Sequence, residues 1–230
     1  MAKKVSKKRN VQSQQKQTNW LLIGGIVGIG VIGLFALLFL SLQDPAAPEL
    51  LSLEQYCQDN PDNCVTEGSA DAPVTIVEIS DYGCIHCRDF YTQTEPSLKE
   101  QYVDSGKVRY IVVPFALSTA TYAAANGGLC AAEQDRYFEY GHAMFAQYDD
   151  ADARQRDGIE RAGQAAGLDM AQFTECLNQS RYNNVLQQNI QAVGDAGVSS
   201  TPNFFVNGQH IEGAQPFAAF QQQIDALLNS

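Results

Sequence analysis

VTIVEISDYGCIHCRDF, residues Val74 to Phe90, holds the pattern that decides the fold. Val74–Ser80 is short and rich in β-branched residues, the composition of a strand. Cys84 and Cys87 follow, with Ile85 and His86 between them. From His86 the chain HCRDFYTQTEPSLKEQYVDSG reads as a helix carrying Phe90, Tyr91, Leu98 and Tyr102 on one side. Pro96 should kink it, and Gly106 ends it. Val108–Val113 (VRYIVV) is a second buried strand. Strand, helix, strand predicts a right-handed parallel unit with the C-x-x-C pair at the strand-to-helix turn.

Beyond this unit, from about residue 116 to 197, the chain reads as helical. Tyr137, Phe138, Phe145 and Tyr148 recur at helical spacing, as do Tyr182, Val185, Leu186, Ile190 and Val193, and both stripes are read as core. Asn203–Asn207 (NFFVN) predicts a strand, Gly208 a turn, and His210–Ile211 the start of an antiparallel partner. Phe217, Phe220, Ile224, Leu227 and Leu228 mark a closing amphipathic helix. The expected class is α/β, with a helical insert between the second and third of these strands.

Toward the N-terminus, residues 44–67 read as a linker and a cysteine loop. Asp44–Pro48 looks like a short linker, and QDNPDN between Cys57 and Cys64 is strong turn chemistry. A local bridge between these cysteines would close the loop at small entropic cost. Further back, Trp20 to Gln43 (WLLIGGIVGIGVIGLFALLFLSLQ) carries no charge. A helix needs about 20 apolar residues to cross a bilayer. Lys3, Lys4, Lys7, Lys8, Arg9 and Lys16 precede this run, and no acid occurs before Asp44. Basic flanks stay in the cytoplasm and Trp suits the interface. The expectation is a cytoplasmic tail over 1–19, a transmembrane signal anchor over 20–43, and an extracytoplasmic remainder on the cell membrane. A cleaved signal peptide is the competing reading, but its apolar core is normally about 7–15 residues long. A buried soluble helix is disfavoured by Gly24, Gly25, Gly28, Gly30 and Gly33.

Charge and cysteine count narrow the chemistry. Residues 44–230 carry 9 basic and 26 acidic side chains, which argues against nucleic-acid binding. Disulfides persist outside the cytoplasm, and six cysteines fit pairs. With Cys84 and Cys87 taken together, Cys57, Cys64, Cys130 and Cys176 allow three connectivities. A zinc site usually takes four ligands. No second C-x-x-C or H-x-x-x-H is present, and His142 and His210 are isolated. No metal is expected, and no flavin, haem or nucleotide motif calls for a bound cofactor.

A cysteine at a helix start is suited to redox chemistry. The free N–H groups and positive dipole end favour thiolate, so Cys84 should have a lowered pKa. Cys87, one turn inward, should be the less exposed, resolving sulfur. His86 can add positive charge or a hydrogen bond, the alternative being a solvated surface residue. Glu78 shares a strand face with Val74 and Ile76. A buried acid there has a raised pKa and can exchange protons with a nearby thiol; the alternative is a strand-end acid reaching water. Thr201–Pro202 directly precedes a strand, where a proline can be cis, leaving the Thr201 backbone free to pair with a peptide substrate.

GSADAPVTIVEISDYGCIHC and GVSSTPNFFVNGQHIEGAQPF together resemble the extracytoplasmic DsbA-like branch of the thioredoxin superfamily. The similarity runs from about Gly68 to the C-terminus. It implies a thioredoxin fold over 68–230 with an inserted helical domain over about 116–197. It also implies a cis Pro202 beside the Cys84 and Cys87 sulfurs, and a buried-acid role for Glu78. Some relatives carry a second disulfide in the insert, which would pair Cys130 with Cys176. The chain departs from the best-known CPHC pattern at Ile85, and from a frequent Val at Thr201; both positions tune redox potential and partner choice. The implied activity is a dithiol oxidase whose Cys84–Cys87 disulfide passes to thiol-containing secreted or membrane proteins. A membrane quinone reductase, DsbB-like or resembling vitamin K epoxide reductase, would reoxidise it. A reductase or isomerase of the same fold, and a non-catalytic binding domain, are the rival readings.

Overall fold

The computed structural model describes residues 47–229. The tail and anchor expected over residues 1–43 lie outside the described residues. The elements are α1 (Ala47–Asp59), β1 (Val65–Glu67), β2 (Val74–Ser80), α2 (Ile85–Gln93), α3 (Glu95–Leu98), β3 (Val108–Pro114), α4 (Tyr122–Ala132), α5 (Tyr137–Ala146), α6 (Arg156–Ala165), α7 (Met170–Gln179), α8 (Asn183–Asp195), β4 (Asn203–Val206), β5 (Gln209–Glu212) and α9 (Phe217–Leu228).

The strands form one five-stranded sheet in the order β1-β3-β2-β4-β5. β2 and β3 run parallel, with Val74 opposite Val108 and Ser80 opposite Pro114. β4 lies antiparallel to β2, with Ile79 opposite Asn203, and β5 antiparallel to β4. β2 is therefore central, and both its faces are covered. Alternation sends Val74 and Ile76 to one side, where they join Tyr110, Val112, Phe204, Phe90, Leu98 and Phe220. Val77 and Ile79 face the other side with Ile111, Val113, Phe205, Leu53 and Val193. Burial on both faces explains why β2 and β3 read as nearly continuous apolar runs. The Phe90 and Phe204 ring centres are 4.4 Å apart, and those of Phe204 and Phe220 are 5.0 Å apart. Each such ring contributes about 2–3 kcal/mol by leaving water. α4 to α8 form the insert between β3 and β4, and a Cys130–Cys176 disulfide joins α4 to α7.

Two local readings change. The segment over 44–67, read as linker and loop, carries α1 and β1 from Ala47 onward. Leu53 and Cys57, one helical turn apart, bury against the back of the sheet, and β1 adds an edge strand beside β3. The turn chemistry is confined to a single 3₁₀ turn, Pro61–Asn63, and a Cys57–Cys64 disulfide spans it. The long helix after the C-x-x-C breaks at Thr94 (φ −113°) and ends in a π-helical turn, Lys99–Val103. Pro96 has no N–H to continue the ladder, so the break falls just before it.

Asn189 of α8 locks the N-terminal segment to the sheet. It is fully buried. Its Nδ2 donates to Asn63 O and to Pro114 O, both at 2.9 Å, while Tyr56 Oη donates to its Oδ1 at 2.7 Å. Removing it takes a donor from the Asn63 and Pro114 carbonyls and the acceptor from the Tyr56 hydroxyl, which keeps its bond from Asn63 Nδ2, and each unsatisfied buried group costs about 1–3 kcal/mol. Asn189→Ala should therefore lower unfolding stability by roughly 2–4 kcal/mol in denaturant titration with both structural disulfides intact. A change under about 0.5 kcal/mol would show that water replaces these bonds.

Candidate active site

The site is built at the C-terminal end of β2. Asp81 is buried, and its carboxylate closes the turn that follows. Oδ1 accepts from the Gly83 N–H at 2.6 Å, and Oδ2 accepts from the Leu117 N–H at 2.7 Å and Thr121 Oγ1 at 2.6 Å. The Asp81 carbonyl accepts from the Cys84 N–H at 3.0 Å. Gly83 has no room for a side chain: a Cβ would lie 2.5 Å from Thr121 Cγ2. Tyr148 Oη of the insert donates to the Gly83 carbonyl at 2.9 Å. The Arg88 and Arg154 guanidinium carbons lie 5.1 and 5.0 Å from the Tyr148 ring centre. The turn is thus held from β2, from the segment after β3, and from the helical insert.

This turn makes Cys84 the N-cap residue of α2. Its side chain is half-buried, whereas Cys87, one turn on, is fully buried. As a thiol, Cys84 Sγ donates to Thr201 O at 3.2 Å. The Thr201–Pro202 peptide bond is cis, so the loop before β4 sits against the reactive sulfur. Thr201 Oγ1 is buried without a partner, free to turn its proton toward a thiolate. The Cys84 pKa is lowered to about 5. The largest cause is a hydrogen bond from the Cys87 thiol; burial opposes it, and the Thr201 side chain with the Cys87 and His86 backbone groups assists. Cys87 moves the other way, raised first by burial and then by the neighbouring Cys84. The helix start favours the outer sulfur as anion and the core keeps the inner one as thiol.

The remaining residues singled out in the sequence fall in several places. The His86 side chain is 69 % exposed, with Nδ1 3.8 Å from Asp89 Oδ2. Its backbone, rather than its ring, acts on Cys84. Glu78 is completely buried, accepts the Tyr110 hydroxyl proton on Oε2, and has a pKa raised to about 7 by burial. Its environment includes the Ser80 hydroxyl as well as Tyr110. Cys57, Cys64, Cys130 and Cys176 form the two disulfides, and neither bonds the C-x-x-C pair. His142 bonds buried Glu95 at 3.0 Å and His210 bonds Asn203, so neither ring enters the motif. Among the described residues no cluster of three or more His, Cys, Asp or Glu is arranged to hold a metal.

Sequence reasoning missed Asp81, Thr121 and Tyr148. An Asp two residues before a Gly at a strand end is Asx-turn chemistry, a signal that could have found Asp81. The partners Thr121 and Tyr148 are 40 and 65 residues distant along the chain and left no local trace. The large hydrophobic side chains exposed among the described residues, Ile85 and Leu117, flank an open groove of about 510 Å³ beside Cys84 and Thr201.

Ionisation of Cys84 at lower pH than in the unfolded chain stabilises the reduced native state. The gain is complete above the unfolded value and is lost as pH falls through about 5. Alkylation of the reduced chain should therefore follow a titration centred near pH 5 and label Cys84 alone at neutral pH. A midpoint of about 8.5, the value for an unperturbed thiol, would show that neither the Cys87 thiol nor the helix start stabilises the anion.

The sequence profile of the thioredoxin family matches residues 60–226. A Na⁺/H⁺ antiporter from Salinispora tropica is 34% identical over 157 residues, covering 67% of this chain and 23% of that protein. A protein from Rickettsia typhi named "Putative protein-disulfide oxidoreductase" is 27% identical over 153 residues, covering 65% of this chain and 57% of that protein. The chain thus spans less than two thirds of the length of either relative. Among solved structures, alpha-DsbA1 of Wolbachia pipientis superposes with a TM-score of 0.65 at 25% identity, covering 73% of this chain and 92% of that one. With the profile spanning the sheet, the C-x-x-C turn and the helical insertion, the chain belongs to the thioredoxin family, and its fold is of the DsbA type.

Proposed function

We propose that the chain is a protein thiol-disulfide oxidoreductase that donates its Cys84–Cys87 disulfide to other proteins. The observation that carries this reading is the opposite displacement of the two thiols, one made acidic at a helix start and one kept protonated in the core. A substrate thiolate attacks Cys84 Sγ, the Cys84–Cys87 bond breaks, and a mixed disulfide forms. A second substrate thiolate then attacks the substrate sulfur of that bond. The substrate leaves with a disulfide, and two electrons remain on the chain as Cys84 and Cys87 thiols. A thiolate stabilised at Cys84 favours the reduced form and so makes the disulfide oxidising. The name of the Rickettsia relative supports the same class of reaction.

The setting is read from the sequence. The basic cluster from Lys3 to Lys16 and the uncharged run Trp20–Gln43 support a single-pass anchor with the catalytic domain outside the cytoplasm. Two disulfides apart from the redox pair fit an oxidising compartment. Substrates in this reading are cysteine-bearing secreted or membrane proteins, which accept the disulfide as they fold. The reduced pair then returns its electrons to a membrane quinone reductase of the DsbB-like or vitamin K epoxide reductase-like kind.

The test is the potential of the pair, measured by equilibrating the chain in graded glutathione buffers and counting alkylated thiols by mass. A value above about −200 mV is expected for a donor. A value well below it would assign the fold to reduction or to a static bridge instead. Cys84→Ser should abolish turnover, and Cys87→Ser should accumulate mixed disulfides with substrate. Full activity in either variant would exclude the two-step exchange.

A further inference from the structure

Residues 44–230 carry 9 basic against 26 acidic side chains, so the cations of this domain have acids in excess around them. Arg154, in the loop between α5 and α6, is half-buried and lines the groove beside Cys84 and Thr201. The acids near it in the loop are matched to other cations. Asp149 pairs with Arg88 at 3.3 Å, and Asp150 and Asp152 pair with Arg161 at 3.4 and 2.8 Å. Among the described residues Arg154 forms no ion pair, and its one hydrogen-bond acceptor is the Tyr148 carbonyl, 3.2 Å from Nη1. A guanidinium carries several N–H donors in a planar fork that fits a carboxylate. Stacking on the Tyr148 ring and one bond to its carbonyl leave the other donors of Arg154 without a protein acceptor.

The groove gives this charge a place to act. A Cβ on Gly83, the residue before Cys84, would lie 3.9 Å from Arg154 Cδ. Ile85 and Leu117, at 38% and 53% exposure, make other parts of the lining apolar. Asp81 is the other charged residue lining the groove, and its two oxygens are occupied by Gly83, Leu117 and Thr121. Arg154 is therefore the charge that a molecule entering the groove meets unpaired. Low-dielectric walls focus the field of such a charge.

We propose that Arg154 is the specificity-determining residue of the exchange and selects substrate cysteines flanked by aspartate or glutamate. The inference rests on the donor reading above and names its substrate class. Arg154 takes no part in making or breaking bonds. As the substrate thiolate attacks Cys84 Sγ, the electron pair of the Cys84–Cys87 bond goes to Cys87 and the new bond joins substrate to Cys84. The carboxylate beside the substrate cysteine pairs with the Arg154 guanidinium while this happens, and a lysine in its place meets like charge. The acidic surface elsewhere on the domain repels the same substrate. At a salt concentration of about 0.15 M, however, the Debye length is about 8 Å, so an unpaired charge lining the groove outweighs acids farther off. An acidic neighbour also raises the pKa of the substrate thiol, so the preference is one of rate per thiolate.

The test mixes the full chain in its disulfide form with an excess of short cysteine peptides, alike except that the cysteine is flanked by Asp, Asn or Lys. Samples are quenched with acid, the release of Cys87 is counted by alkylation and mass, and each rate is expressed per peptide thiolate. At about 0.15 M salt the Asp peptide should react about fivefold faster than the Lys peptide, the upper range for an exposed ion pair. Salt at about 1 M should flatten the difference. Arg154→Met should remove the preference, Arg154→Lys should keep most of it, and Arg154→Glu should invert it, so the comparison survives if one variant fails to fold. If Arg154 only holds Tyr148 in place, its variants slow all the peptides alike and keep their ratio. That result overturns the proposal, as does a wild-type chain that treats the peptides equally or prefers Lys. In each of these cases the wild-type disulfide still reacts, and the donor reading stands. If no peptide releases Cys87 from the wild-type chain, the donor reading is overturned and the selection goes with it.

Discussion

The chemistry depends on one turn, Asp81 to Cys84, fixed by a buried carboxylate. Asp81 spends both oxygens on it, binding Gly83 from within and Leu117 and Thr121 from across the site. The turn ends β2 and starts α2 so abruptly that the two sulfurs, three positions apart, meet opposite surroundings. Cys84 takes the N-cap, among unpaired N–H groups, with Thr201 beside it. Cys87 is rotated by one helical turn into the core under the sheet. Loosening the turn would let both sulfurs sample the same environment, and their difference in acidity would shrink. β2, the segment after β3 and the insert all serve to keep this turn in place.

Polar groups under the motif are consistent with this. Burial of a carboxyl without full pairing is expensive, yet Glu78 sits in the centre of the sheet with one oxygen unpaired. Asn189 is also fully buried, but both its side-chain nitrogen and its oxygen are bonded, to Asn63, Pro114 and Tyr56, as suits a structural lock. Glu95 lies between, buried but bonded to His142 and 3.8 Å from Lys99. Each side-chain polar atom of Asn189 is bonded, whereas Glu78 keeps one oxygen free.

Much of this was legible in the sequence because it is local. β2 was delimited by its β-branched run from Val74 to Ser80, and the helix start by its two cysteines. The hairpin of β4 and β5 followed from NFFVNG, although Asn207 enters the turn with φ +44° rather than the strand. α1 was lost because QDNPDN outweighed the spacing of Leu53 and Cys57, which matters only once the back of the sheet exists to cover. His86 drew attention by its position, but its ring points to water and its backbone carries the effect. Tyr148 and Thr121 could not be found, since their role is a long-range contact with a turn that has no sequence periodicity.

The displaced acidities give the two halves of the exchange different characters. In the second half the leaving sulfur is Cys84, already stable as an anion, so this step needs no proton and depends on access through the groove beside Thr201. In the first half the leaving sulfur is Cys87, which the core holds as a thiol. In the proposed exchange, the features that stabilise Cys84 as an anion therefore leave Cys87 as the harder sulfur to release. A site of this kind cannot be judged from its reactive cysteine alone. In the proposed exchange the core around the inner cysteine and the helix start at the outer one act on opposite halves of the reaction.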